Sequence, residues 1–158
     1  SGIEIILDDD RWVGLEKRAQ AAWASVYGTL ALSGDFEVSI LGCDDTRIAA
    51  LNGDFRDKPA PTNVLSWPSV ERAAQRPGDT PPPPDDSYPE LGDIAIAFDT
   101  CAREAVEQGK RFEDHVTHLL VHAILHLLGY DHETAQDAAL MEGLETQILA
   151  KQGIEDPY

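Results

Sequence analysis

Residues 119–128, Leu-Leu-Val-His-Ala-Ile-Leu-His-Leu-Leu, are apolar on every side of a helix except for two histidines. A helix without a polar face has to be buried, so the fold must wrap other elements around this one. The helical pattern starts near Phe112 and runs to Leu128 with no glycine or proline. Gly129 supplies the stop, because helices commonly end at a glycine that turns left-handed. At about 100° per residue, His115, His122 and His126 fall within ~40° of one another, and His118 lies ~60° from His115. The only polar stripe on the buried part of the helix is therefore histidine, and buried imidazoles need partners.

A metal ion is one such partner. His122 and His126 stand one helical turn apart on one face. Past the turn at Gly129, Tyr130 and Asp131 bring the chain round so that His132 offers a third imidazole. Three nitrogens leave one corner of a tetrahedral zinc open, the mark of a catalytic site, and water bound there becomes a nucleophile near neutral pH. His122, His126, Gly129 and His132 occupy places 1, 5, 8 and 11 of a pattern that resembles the metzincin protease signature. The protease glutamate at place 2, its general base, is Ala123 here. His115 and His118 lie outside this three-ligand spacing. They are expected in the shell of the site or on its substrate side, with a plain surface role open to His115.

The remainder of the chain supplies strands and covering helices. Ile3 to Leu7 is a short β-branched run that reads as an early or edge strand. Trp12, Leu15, Ala19, Ala22, Trp23, Val26 and Leu30 have helical spacing, with Asp8, Asp9 and Asp10 at the end the helix dipole favours. Phe36, Val38 and Ile40 alternate with polar residues, as in a half-exposed strand. Asp44, Asp45 and Thr46 can cap a helix running towards Phe55, and Val64 to Trp67 makes another short strand. Residues 91–98 form a near-continuous apolar run suited to a central strand. At its entry, Asp93 can orient a ligand histidine or cap a turn. Asp99 and Thr100 can cap a short helix ended by Gly109. Thr134 can cap the last one, with Ala138, Met141, Leu144, Ile148 and Leu149 as its apolar face. Between them, residues 71–90 hold Pro77-Gly78 and four consecutive prolines from Pro81, an expected mobile or polyproline-like excursion.

At 158 residues and 42% hydrophobic content, one domain spanning 1–158 is expected, with that Pro-rich insertion at about 71–90. No stretch approaches the ~18 apolar residues of a membrane span, and Ser1-Gly2-Ile3-Glu4 does not read as a signal peptide. Cys43 and Cys101 form no C-x-x-C pair and read as buried thiols in a reducing cytosol. The net charge of −17 opposes broad nucleic-acid binding, which calls for a basic footprint. A bound metal would add local positive charge.

The run from His118 to His132 resembles the signature of the YbeY endoribonucleases, bacterial metal-dependent enzymes of ribosomal RNA maturation. Residues 51–68 resemble that family's second block: a Leu-Asn helix end, a loop arginine, then a Thr-Asp-Val-Leu-Ser-Phe-Pro run. The present chain departs from it at Asn63 and Trp67. Leu91-Gly92-Asp93-Ile94 resembles the family's next strand. The resemblance implies an α+β fold: a small mixed four-stranded sheet flanked by about five helices, with a central buried helix carrying the His-x3-His-x5-His site. It implies a zinc-dependent, single-strand-specific endoribonuclease acting at the 3′ end of 16S ribosomal RNA and in ribosome quality control. One Zn2+ per chain would be held by His122, His126 and His132. Arg56, the loop arginine, would stabilise charge on the phosphate, while His118, Asp131 and Glu133 stand as unranked candidates for proton transfer. Ribosomal RNA and ribosomal subunits or assembly factors are the expected partners, in the cytoplasm, with no membrane and no DNA. A metalloprotease-like hydrolase with a displaced base, and a non-catalytic ribosome assembly factor with a structural zinc, are the alternatives.

Overall fold

The computed structural model describes residues 2–56 and 60–158, leaving out the side chains of 54–56. Along the chain come β1 (Ile3–Leu7), a 3-10 turn (Asp10–Trp12), α1 (Leu15–Thr29), β2 (Glu37–Cys43), α2 (Asp45–Arg56) and β3 (Val64–Pro68). After an excursion follow β4 (Glu90–Ala97), α3 (Phe98–Glu107), α4 (Phe112–Leu127) and α5 (Ala135–Ala150). The strands form a mixed sheet in the order β1-β2-β4-β3. β1 and β4 run parallel to β2, and β3 runs antiparallel to β4. The expected four-stranded α+β architecture is thus the observed one.

Alternation along β4 sorts its side chains between two cores, since successive residues of a strand face opposite sides. Ile94 and Ile96 enter the larger core with α1, α4 and α5. Ala95 and Ala97 enter a smaller one with Cys43, Ile48 and Leu65, on the side covered by α2. Trp12 and Trp23 are buried in the larger core, as expected. The helical spacing around Trp12 is interrupted, however. Asp9 caps a 3-10 turn by accepting from the Arg11 N–H at 2.9 Å, and α1 begins only after Gly14.

The caps of α2 and α3 are reciprocal. The Asp99 carboxylate accepts from the N–H of Asp45 at 3.1 Å, and the Asp45 carboxylate accepts from the N–H and hydroxyl of Thr100 at 3.0 and 2.7 Å. Each acid thus serves the other helix's orphan donors. Thr134 caps α5 as expected, accepting from Asp137 N–H.

The central helix α4 packs against β3, α1, α3 and α5. Val116, Leu119, Leu120, Val121, Ala123, Ile124, Leu125 and Leu127 are all buried. At its C-terminus, Tyr130 N–H donates to Leu125 O and Gly129 N–H to His126 O, both at 3.1 Å. This is the paired Schellman arrangement, with Gly129 at φ +107°. The excursion between β3 and β4 is tied to the same end. The Arg72 guanidinium is buried and donates to the carbonyls of Leu91 at 3.2 Å and Leu127 at 3.0 Å. Burial pulls its pKa below the usual arginine range. Pro81 is buried, and Gly78 N–H donates to Asp137.

A side chain at Gly129 would meet the Arg72 carbonyl oxygen at 2.3 Å and would sit on a backbone conformation that L-residues rarely adopt. Gly129→Ala is expected to cost at least about 2 kcal/mol, lowering the melting temperature of a chain this size by roughly 4–8 °C. Thermal unfolding followed by circular dichroism checks this, and an unchanged midpoint would refute it.

Candidate metal centre

The Schellman turn does for the site what the spacing implied. It reverses the chain so that the His132 ring comes back over α4, its centroid 5.3 Å from that of His122. His122, His126 and His132 line one cleft of about 420 Å³ together with Asn63, Ser66, His118, Asp131, Glu133 and Tyr158. Among the described residues, no three His, Cys, Asp or Glu side chains are drawn together closely enough to count as a metal-holding cluster. The donor set nevertheless fits zinc, because two of the three rings are already oriented. Ser66 Oγ on β3 lies 2.6 Å from His126 Nδ1, and Glu145 Oε2 on α5 lies 2.9 Å from His122 Nδ1. Metal-binding histidines usually engage their second nitrogen in this way, which fixes tautomer and ring orientation.

Glu145 is fully buried, at 0% exposure. Its Oε1 accepts from His118 Nε2 at 2.7 Å and from the Tyr158 hydroxyl at 2.5 Å. Burial pushes its carboxyl up, but the hydrogen bonds from His118, His122 and Tyr158 outweigh burial and bring it down to about 2. An ionised carboxylate can only accept. The His122 nitrogen facing it, Nδ1, is therefore the donor, and Nε2 is the nitrogen left for a ligand. The edge of His118 that could have served a substrate is spent on Glu145, while its Nδ1 is buried without a partner.

The other expected residues divide between the cleft and its surroundings. Asp93 holds no histidine: it is exposed, opposite Trp67 and Ser39 in the sheet, and lines a separate concavity with Glu4, Glu37 and Glu90. Ser66 and Glu145 orient the rings instead. His115 is not a surface residue: it is 3% exposed and bonded through Nε2 to Glu104 Oε1 on α3 at 2.9 Å, behind the cleft-lining Asn63, which donates to the same oxygen. Asp131 lines the cleft and accepts weakly from Glu133 N–H at 3.3 Å. Arg56 closes α2, but its side chain lies outside the described residues, as does Lys58. Lys110 and Arg111 line a neighbouring concavity that shares His118, beside Asp114, Glu155 and Asp156.

A family model described as "Endoribonuclease YbeY" matches residues 8–153. A Ruegeria pomeroyi protein of that name is 54% identical over 160 residues, spanning 99% of this chain and 97% of its own. A Paracoccus denitrificans protein of the same name is 57% identical over 158 residues, spanning 99% and 89%. The chain belongs to the YbeY endoribonuclease family. A solution structure from Thermotoga maritima shares the fold, with a TM-score of 0.59 over 96% of this chain and 91% of that one, at 22% identity.

Within the YbeY pattern, the departure at Asn63 has a local reason. Its side-chain N–H donates to Glu104 Oε1 at 3.0 Å, and its Oδ1 accepts from Val64 N–H at 2.6 Å. An aspartate could not donate and would set a second carboxylate against Glu104. Sequence reasoning missed Glu145, although a signal existed. It falls four residues after Met141 and three before Ile148, an acid inside the apolar stripe of α5. Ser66 and Tyr158 carried no comparable signal.

The low Glu145 pKa makes a signed prediction. A depressed carboxylate stabilises the fold fully above its ordinary 4.5, and this is lost as pH falls towards about 2. In metal-free protein the loss should be on the order of 3 kcal/mol. Glu145→Gln should be less stable than wild type at pH 7 and should lose less between pH 5 and 2. Urea unfolding across that range measures it, and an acid dependence identical in both proteins would contradict it.

Proposed function

We propose that this chain is a zinc-dependent, single-strand-specific endoribonuclease of ribosomal RNA maturation, acting at the 3′ end of 16S RNA and in ribosome quality control. The observation that carries the reading is one cleft lined by His122, His126 and His132, two of them oriented through Nδ1, in a chain of an endoribonuclease family. His122, His126 and His132 would hold one Zn2+ per chain, with ligation through Nε2 at His122 and His126. Such an ion supplies Lewis-acid polarisation of a phosphoryl oxygen and activates a bound nucleophile.

The protein's own residues divide the rest of the work. Ser66 and Glu145 hold two rings in orientation. Arg56 matches a phosphate with its guanidinium fork and stabilises charge building on the non-bridging oxygens. Asp131 and Glu133 line the cleft and stand as proton acceptors. His118, turned to Glu145, is the poorer candidate of the three. An RNA substrate also brings its own 2′-hydroxyl as a nucleophile, so Ala123 in the place of the protease glutamate costs an RNA-cleaving enzyme less than a protease. With a net charge of −17, RNA affinity rests on few phosphate contacts. Its salt dependence is accordingly shallow, because the slope scales with the phosphates neutralised. Ribosomal subunits or assembly factors in the cytoplasm are the fitting partners.

The test is single-turnover cleavage of a ribosomal RNA fragment, with zinc measured on the same samples. Wild type should cut and carry about one zinc per chain, and His126→Ala should lose both. Arg56→Ala and Arg56→Lys should each cut on the order of 10²-fold more slowly, with zinc retained, since lysine keeps the charge but not the fork. Zinc-loaded wild type that binds ribosomal particles and never cuts RNA would replace this reading with an assembly factor.

A further inference from the structure

We infer that Glu145 and Tyr158 are positioning residues of the metal centre, a brace from α5 and the tail behind it that fixes His122 for ligation; the inference rests on the zinc reading above. A carboxylate buried without partners is strongly unfavourable, and the neighbouring stripe positions on α5 are the apolar Met141, Ile148 and Leu149. An aliphatic residue would fill position 145 without that cost. What the carboxylate does instead is bridge two rings of α4. Oε2 accepts from His122 Nδ1 at 2.9 Å, and Oε1 accepts from His118 Nε2 at 2.7 Å. A carboxylate tied at both oxygens cannot swing, so the His122 ring is held in one tautomer and one plane.

Tyr158 closes the brace from outside. Its hydroxyl reaches inward to Glu145 Oε1 at 2.5 Å, and its ring meets His118 edge-on, with centroids 5.5 Å apart and planes at 88°. The ring itself remains 59% exposed and lines the cleft. The contact joins residue 158 to α5 across the turn at Gly153. A polar atom spent this way on an ion already bonded twice is best explained by the need to restrain that ion.

The brace predicts effects on metal affinity and on tautomer that a merely packing role would not produce. Zinc affinity is measured by competition with a chromophoric chelator on the full chain, and the His122 tautomer by long-range nitrogen–proton NMR on metal-free protein. Glu145→Gln should weaken zinc binding by about 10–100-fold, the usual range for a partner of a ligand histidine, and should lower the fraction of His122 protonated at Nδ1. Tyr158→Phe keeps the ring and its edge-on contact with His118, and its exposed position makes misfolding no obstacle. It should weaken zinc binding several-fold, with only a small drop in the melting temperature of the metal-free protein, since one of three hydrogen bonds to Glu145 is lost. Zinc bound by wild type, lost in His126→Ala, yet equally tight in both brace variants would overturn the brace alone. A wild type that binds no zinc would overturn the zinc reading and the brace with it.

Discussion

A helix packed on most of its sides must find partners within the protein for most of the polar groups it carries, because little water reaches them. α4 carries four histidines and a C-terminus packed into the fold, and four different elements meet them. Glu104 of α3 takes His115, and Glu145 of α5 takes His118 and His122. Ser66 of β3 takes His126, and Arg72 of the excursion takes the carbonyl of Leu127. The assembly of the domain around α4 and the preparation of the cleft are therefore one process. If α5 or β3 moves, it leaves both an unmet polar group and a misdirected ring.

This division of labour explains what could be read in advance. The i, i+4 histidines, the glycine stop and the third histidine all lie within eleven consecutive residues, so local helix geometry places them. The strands around Ile3, Val38, Val64 and Ile94 were legible for the same reason, from alternation or continuous apolar runs. Glu145, Ser66 and Arg72 act across 23, 60 and 55 residues of sequence. No periodicity carries a signal over such a separation. Asp93 looked suited to orienting a histidine because it opens an apolar strand, but it sits opposite Trp67, one residue from the Ile94–Ser66 pair, and alternation turns its side chain to the other face of the sheet. His115 shares its helix face with His122 and His126, yet nearly two turns of helix separate it from His122. That rise along the axis delivers it to Glu104 of α3, behind the cleft-lining Asn63, instead of beside the ligand rings.

Electrostatics deepen the same picture. The chain is strongly acidic, but much of the acid sits at exposed places such as Asp8, Asp10, Asp85 and Asp86, where salt screens it. Inside, the negative charge at Glu145 is surrounded by donors. A cation at the three imidazoles would stand one ring away from that carboxylate, an arrangement that strengthens a histidine as a ligand. An acidic protein in a family of RNA-cleaving enzymes is thus reconciled locally, at the cleft, without a basic surface.

The central claim is that three imidazoles hold a zinc whose fourth position stays open to a non-protein ligand. X-ray absorption at the zinc edge of the purified, zinc-loaded protein tests it most directly. The account predicts three imidazole nitrogens at about 2.0–2.1 Å, with the outer-shell scattering of histidine rings, plus one further light-atom ligand. Sulfur scattering near 2.3 Å, or a shell with fewer than three imidazoles, would contradict it.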